Sequence, residues 1–110
     1  MATTVVSQSG QTVSLSRGDC LEVTQPDLGG AGYEWSIMKL PSFLVVESIA
    51  ANSPEEDHQG ISAPGAAGQW RIVICAHREG EGVVTLKLAR QWEESPAKTF
   101  HVNVIVKAQG

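Results

Sequence analysis

The chain has 110 residues, of which 42% are hydrophobic and 18% are charged, and its net charge is -4 with an isoelectric point near 5.2. This composition is typical of a globular protein, and the length predicts one domain, residues 1–110, with a hydrophobic core of its own. A negative chain without any cluster of Lys or Arg is a poor partner for nucleic acid or an anionic membrane, so both are excluded as expected partners.

Targeting signals are not evident in the sequence. No apolar run approaches the roughly 20 residues that cross a bilayer. The first residues, Met1-Ala2-Thr3-Thr4, lack the charged-then-apolar build of a signal peptide. We therefore expect either a cytosolic protein or an exported one whose leader lies outside this sequence, and the sequence alone does not distinguish the two.

Short β-prone runs follow one another along the chain and are separated by turn-forming residues. They occupy residues 5–6, 12–15, 20–24, 33–37, 43–49, 70–74, 83–88 and 99–106. In several of them apolar residues alternate with polar ones, and no stretch shows a sustained helical period. This pattern predicts an all-β fold, an antiparallel β-sandwich of seven or eight strands.

The triplet Arg17-Gly18-Asp19 separates the second run from the third. These three residues spell an integrin-binding tripeptide, but they stand where the chain needs a tight turn between two strands. Gly and Asp are residues that such turns favour, so we interpret the triplet as a turn.

The two cysteines, Cys20 and Cys75, form either a disulfide or two free thiols. With Trp35 between them they loosely follow the Cys-Trp-Cys order of an immunoglobulin domain, whose disulfide crosses the core, but Val73 replaces the corner tyrosine of that pattern. Alternation also directs both cysteines away from the apolar face of their strands. We therefore favour two free thiols.

Residues 50–68 form the longest stretch without periodicity, and long irregular segments are often functional. Its first half contains Glu55-Glu56-Asp57-His58, which resembles a metal-ligand cluster. Consecutive loop positions rarely converge on one ion, so we interpret these residues as a solvated acidic loop and predict no metal or other cofactor.

Catalytic motifs are also missing from the sequence. There is no HExxH pair, P-loop, paired CxxC or dinucleotide-binding fingerprint. The cysteines, together with His77 and His101, lie in or beside predicted strands rather than at a helix start that would activate a thiol. We therefore predict that the protein is not an enzyme.

Two loops of small residues each lead directly into an aromatic strand. The first loop contains Gly29, Gly30, Ala31 and Gly32 and is followed by Tyr33 and Trp35. The second loop contains Gly65, Ala66, Ala67 and Gly68 and is followed by Trp70. Small residues leave the main chain uncovered, so another surface can approach it closely.

A third loop carries Arg90, Gln91 and Trp92, beyond the alternating part of its strand. Trp92 either caps the core, as most tryptophans near strand ends do, or belongs to an interface, where Trp and Arg are the residues most enriched. The residues by themselves do not decide between these two roles.

In order and content, the three loops resemble those of the chagasin family of cysteine-peptidase inhibitors, and the likeness covers nearly the whole chain. In that family the first loop reads Asn-Pro-Thr-Thr-Gly-Tyr-x-Trp, the second is a Gly-rich segment before an aromatic strand, and the third reads Arg-Pro-Trp. Gly32-Tyr33-Glu34-Trp35 keeps the second half of the first motif, residues 65–70 fit the second loop, and Arg90-Gln91-Trp92 lacks only the proline. Leu28-Gly29-Gly30-Ala31 replaces the first half of the first motif, including its threonines.

The resemblance implies an immunoglobulin-like sandwich whose three loops enter the cleft of a papain-like cysteine protease, either cathepsin L-like or endogenous, and we expect a monomer. Residues 29–32 would lie against the catalytic Cys-His pair, residues 65–68 in the unprimed groove, and Arg90 with Trp92 on the other side. The protease-binding residues would also include Tyr33 and Gln91. The altered first loop leaves an alternative, a non-inhibitory immunoglobulin-like module that binds another protein or a glycan through the same loops.

Overall fold

The computed structural model describes residues 2–26, 32–52 and 68–108. Eight strands lie in these ranges: β1 (Thr3–Val6), β2 (Gln11–Ser16), β3 (Cys20–Pro26), β4 (Tyr33–Lys39), β5 (Leu44–Asn52), β6 (Gln69–Ala76), β7 (Gly80–Arg90) and β8 (Lys98–Lys107). Each predicted run corresponds to one strand, so the all-β prediction is confirmed. Within the described ranges, no helix is long and apolar enough to cross a membrane.

The strands form two four-stranded sheets that pack face to face. The first sheet has the order β1-β3-β6-β5 and the second sheet the order β2-β8-β7-β4. Alternation sends one set of side chains from each sheet into a shared core, with Leu21 and Ile72 from the first sheet and Leu86 and Val102 from the second all fully buried. The rings of Trp35 and Phe100 pack in a T-shaped arrangement, with centroids 6.3 Å apart at an interplanar angle of 87°.

The sheets are mixed rather than purely antiparallel, which refines the predicted architecture. β1 runs parallel to β3, and β2 runs parallel to β8, while the other four pairings are antiparallel. The first part of the chain moves from one sheet to the other at residues 7–10. β1 therefore forms one edge of the first sheet, and β2 forms one edge of the second sheet. Alternation predicts which face a residue occupies, but it does not predict the direction of the neighbouring strand.

Cys20 and Cys75 form a disulfide, so the prediction of two free thiols is wrong. The two residues are directly opposite each other on β3 and β6, neighbouring strands of the first sheet. Because the Cys20 N–H donates to Ala2 O towards β1, this is a non-hydrogen-bonded pair, where side chains of antiparallel strands come closest. Both cysteines do face away from the core, which excludes a bridge between the sheets but not one within a sheet.

The Arg17-Gly18-Asp19 triplet is the turn between β2 and β3, as predicted. Gly18 has a φ of 96°, and the Asp19 N–H donates to Ser16 O at 2.9 Å. The Asp19 carboxylate accepts from the N–H groups of Ala2 and Ser16, each at 3.1 Å. The bonds from Ala2 and then Ser16 hold the pKa of Asp19 below its usual value of 3.8, because they stabilise the charged form.

Candidate functional site

Three connections lie at the same end of the sandwich, which we call the loop end. Pro26, the last residue of β3, pairs with Gln69, the first of β6, so the β3–β4 and β5–β6 connections begin and end side by side. In the second sheet, Tyr33 at the start of β4 pairs with Arg90 at the end of β7. The strand register therefore brings together the strand ends that flank the three loops singled out by the sequence.

The described part of the first loop is Gly32, which leads directly into β4. Gly32 has a φ of 81°, a left-handed conformation that residues with a Cβ avoid. Tyr33 is half-buried and Trp35 is buried, so the strand behind the loop is anchored in the core. The predicted site residues Gly29, Gly30 and Ala31 lie outside the described residues.

The third loop begins with a turn that starts at Arg90. The Glu93 N–H donates to Arg90 O at 3.1 Å and closes the turn, and the Ala97 N–H donates to Leu88 O at 2.8 Å below it. Gln91 and Trp92 are exposed at the tip. Trp92 is 70% exposed, the largest exposed fraction among the large hydrophobic side chains of the described residues. Its indole therefore does not cap the core.

The first and third loops are in direct contact. A Cβ added to Gly32 would lie 2.8 Å from Cη2 of Trp92, so the indole packs against the bare main chain of Gly32. The Arg90 guanidinium lies over the Tyr33 ring, 4.4 Å from its centroid, and 5.8 Å from the centroid of the Trp92 ring. Cation–π attraction on both sides fixes Arg90 between the two aromatic residues and holds Trp92 against the first loop.

Glu93 completes this cluster, and the sequence reasoning missed it. Its Oε1 lies 3.2 Å from Nε of Arg90. The N–H of Arg90 Nε does not point along that line, so the contact is an ion pair and not a hydrogen bond. The signal available in the sequence was the spacing of Arg90 and Glu93, a cation and a carboxylate three residues apart, which allows an ion pair across a short turn.

The second loop is described only from Gly68 onwards, and the predicted residues Gly65, Ala66 and Ala67 lie outside the described residues. Gly68 is half-buried at the loop end of the first sheet, beside the start of β6. Trp70 points inward and packs against the core, which anchors this strand as Trp35 anchors β4. The contacts that join the first and third loops do not involve Gly68.

A shallow depression of about 280 Å³ lies beside the third loop, on the outer face of the second sheet. It is lined by Glu34, Ser36, Lys87, Ala89, Arg90, Gln91 and Glu93. Two carboxylates and two cations line it, so this surface offers polar contacts next to the apolar Trp92.

The described residues do not assemble a nucleophile and a base. Both cysteine sulfurs are bonded to each other, so neither is a free thiolate. His101 Nδ1 lies 3.3 Å from Thr85 Oγ1 on the outer face of the second sheet, and this pair links β7 and β8 as a structural contact.

Residues 14–104 match the family model described as "Chagasin family peptidase inhibitor I42". The matched segment includes β3 to β7 whole, parts of β2 and β8, and all three loops. The chain belongs to the chagasin family. This chagasin-family chain is thus assigned to inhibitors of peptidases and not to enzymes, and the predicted resemblance to the family is confirmed. No curated protein sequence matches the chain.

Solved structures share the fold of this chagasin-family chain at low sequence identity. The cysteine protease inhibitor EhICP2 from Entamoeba histolytica has a TM-score of 0.78 and 17% identity, over 96% of each chain. Amebosin, known from a solution structure, has a TM-score of 0.71 and 22% identity, over 96% of this chain and 97% of its own. PbICP-C, solved in complex with falcipain-2, has a TM-score of 0.51 and 19% identity, over 99% of this chain and 100% of its own. These likenesses support the immunoglobulin-like sandwich.

Proposed function

We propose that the chain inhibits papain-like cysteine proteases by inserting the loop end of the sandwich into the active-site cleft. Membership of the chagasin family supports inhibition as the function, and the structure of PbICP-C with falcipain-2 is an example of a relative in the fold bound to such a protease. The target is a cathepsin L-like or an endogenous protease. The three loops act together because the strand register holds them at one end.

The observation that carries this proposal is the packing of an exposed Trp92 on Gly32. A large aromatic side chain that is 70% exposed and held between Gly32, just before β4, and Arg90 at the end of β7 is ready to bind a partner. Its position is fixed before binding, so little conformational entropy is lost when the complex forms. Aromatic anchors of this kind dominate the binding energy of many interfaces.

The roles of the loops follow from their chemistry. In the proposed complex, residues 29–32 present main chain to the catalytic Cys-His pair, and residues 65–68 lie along the unprimed groove as an extended segment. Trp92 and Gln91 contact the opposite side of the cleft, while Arg90 and Tyr33 hold Trp92 in place. The chain offers no scissile segment in this arrangement, because its contacts come from three separate connections rather than one peptide.

The first test is inhibition by Trp92→Ala. Truncation of an anchoring tryptophan costs about 2 kcal/mol, so we expect an inhibition constant about 30-fold higher against papain or a cathepsin L-like enzyme. Met38→Ala is the matched control, because Met38 is also exposed, by 58%, but lies at the end of β4 away from the loop end. The pairing of β4 with β7 is irregular there, between Ile37 and Lys39. Equal inhibition by wild type and Trp92→Ala would show that Trp92 is not part of the interface. Absence of inhibition by wild type at micromolar concentration would refute the proposed function.

A non-inhibitory module remains the second candidate, because Leu28-Gly29-Gly30-Ala31 replaces the threonines of the family's first loop. Ala31→Thr separates the two candidates. An inactive wild type whose inhibition is restored by Ala31→Thr is a degenerate inhibitor, whereas an inactive wild type that stays inactive binds something else through these loops.

A further inference from the structure

Three potential metal ligands meet on the outer face of the first sheet, at the end opposite the loops. They are Cys20 on β3, Cys75 on β6 and Glu47 on β5, and their donor atoms all lie within 4.8 Å of one another. Oε2 of Glu47 is 2.8 Å from Sγ of Cys75. The three residues come from three adjacent strands, so the sheet itself holds them together.

Glu47 reaches the sulfur because β5 is irregular at this point. The pairing of β5 with β6 shifts between Val46 and Ser48, which leaves Glu47 as an extra residue in the bulge. Among the described residues, Glu47 takes part in neither ion pair, since Arg71 pairs with Glu22 and Arg90 with Glu93. Its carboxylate therefore lies against a sulfur atom rather than against a cation.

We propose that reduction of the Cys20–Cys75 disulfide converts this cluster into a three-ligand site for a soft divalent cation such as Zn²⁺. A dithiol transfers two electrons and two protons to the disulfide, which gives two protein thiols and one cyclic disulfide of the reagent. The cation then binds both sulfurs as thiolates and one oxygen of Glu47, and the two thiol protons pass to solvent. This inference is independent of the proposed protease inhibition.

The donor set selects the class of metal. Thiolates favour Zn²⁺ and related soft ions over Mg²⁺ or Ca²⁺, and a carboxylate is an accepted third ligand for zinc. Ligand sulfurs about 2.3 Å from a tetrahedral ion lie about 3.8 Å apart, a spacing that the two side chains reach once the bond between them is broken. A water molecule takes the fourth position. The two cysteines stay opposite each other because the β3–β6 ladder, from Leu21 with Ile74 to Pro26 with Gln69, does not depend on the bond.

The test uses cobalt as a coloured substitute for zinc. The full chain is reduced with a dithiol, freed of reagent without air, and titrated with Co²⁺. We expect a thiolate-to-cobalt charge-transfer band that saturates at one ion per chain and disappears when Zn²⁺ is added. The unreduced chain and Cys20→Ser/Cys75→Ser show no such band. Glu47→Gln weakens binding at least about 10-fold, while the matched control Glu81→Gln, exposed on β7, binds as wild type does.

Circular dichroism measured in parallel shows whether the reduced chain is folded, so that each result of the cobalt titration can be interpreted. If the reduced chain stays folded, absence of the charge-transfer band overturns the proposal, and so does equal Co²⁺ affinity of Glu47→Gln and wild type. If reduction unfolds the chain, addition of Zn²⁺ must restore the β-sheet signal of wild type. Failure to refold with Zn²⁺ overturns the proposal in that case.

Discussion

At the scale of single residues, the site depends on a glycine rather than on a large side chain. Gly32 combines a left-handed φ with a close approach of Trp92, so a residue with a Cβ there would meet both an unfavourable backbone conformation and the indole. Trp92 contributes exposed area, and Arg90 restricts its movement through contacts with both Tyr33 and the indole. The position of the tryptophan side chain is therefore determined by Gly32 and Arg90, its neighbours on either side.

Gly32→Ala tests this dependence. The left-handed backbone costs alanine about 1–2 kcal/mol, and the new Cβ would displace the Trp92 indole, so both stability and inhibition decrease. We expect the inhibition constant to rise by about 10-fold or more, and Gly32→Ala combined with Trp92→Ala to cost less than the sum of the two. Inhibition titrations and urea denaturation measure the two effects.

Gly18→Ala is the matched control for Gly32→Ala. Gly18 has a φ of 96°, but a Cβ added there meets no atom within 4 Å, and it lies at the opposite end of the sandwich. Gly18→Ala therefore carries the same cost of a left-handed backbone as Gly32→Ala, but its new Cβ does not contact Trp92. A similar loss of inhibition in both variants would show that Gly32→Ala acts through general destabilisation and not through Trp92.

At the scale of strands and turns, most of the architecture could be predicted from the sequence. Alternation and turn residues locate all eight strands, because side-chain period and turn chemistry are local properties. Two features could not be predicted from the sequence, because they depend on which strands are neighbours. These are the parallel pairings of β1 and β2, and the disulfide between outward-facing cysteines. The contact of Gly32 with Trp92 escaped for the same reason, since it requires the register that pairs Tyr33 with Arg90.

The β2–β3 turn makes a pH-dependent contribution that can be measured. Because hydrogen bonds from Ala2 and Ser16 lower the pKa of Asp19 in the folded state, its contribution to stability is fully present above the unfolded pKa of 3.8. It is lost as the pH falls through the lower folded pKa. We expect Asp19→Asn to have a lower midpoint of thermal unfolding than wild type at pH 7, with a difference that shrinks on acidification below about pH 4.

Glu79→Gln is the control for the turn, because Glu79 is exposed in the neighbouring β6–β7 connection. Its unfolding midpoint should follow that of wild type across the pH range. A difference between Asp19→Asn and wild type that stays constant between pH 7 and pH 2 would contradict the assignment of this pH dependence to the Asp19 carboxylate.

At the scale of the whole molecule, the disulfide and the loop end lie at opposite ends of the sandwich and have different roles. The bond joins residues 55 positions apart, so it encloses the first two loops in the sequence, and it lies at the end of β3 and β6 opposite the Pro26–Gln69 pair. In the chain-entropy model, closing a loop of this length stabilises the folded state by up to about 4 kcal/mol, through its effect on the unfolded chain. The position of the loops depends on the strand ladders instead.

Cys20→Ala/Cys75→Ala therefore separates stability from inhibition. We expect its free energy of unfolding in urea to fall by up to about 4 kcal/mol, while its inhibition constant at a temperature where it remains folded stays within about 2-fold of wild type. The ladder from Leu21 with Ile74 to Pro26 with Gln69 still places the β3–β4 and β5–β6 connections side by side. Addition of a dithiol should lower the unfolding midpoint of wild type and leave that of the double variant unchanged. A double variant that is folded but no longer inhibits would mean that the bond, and not the ladder, determines the geometry of the loop end.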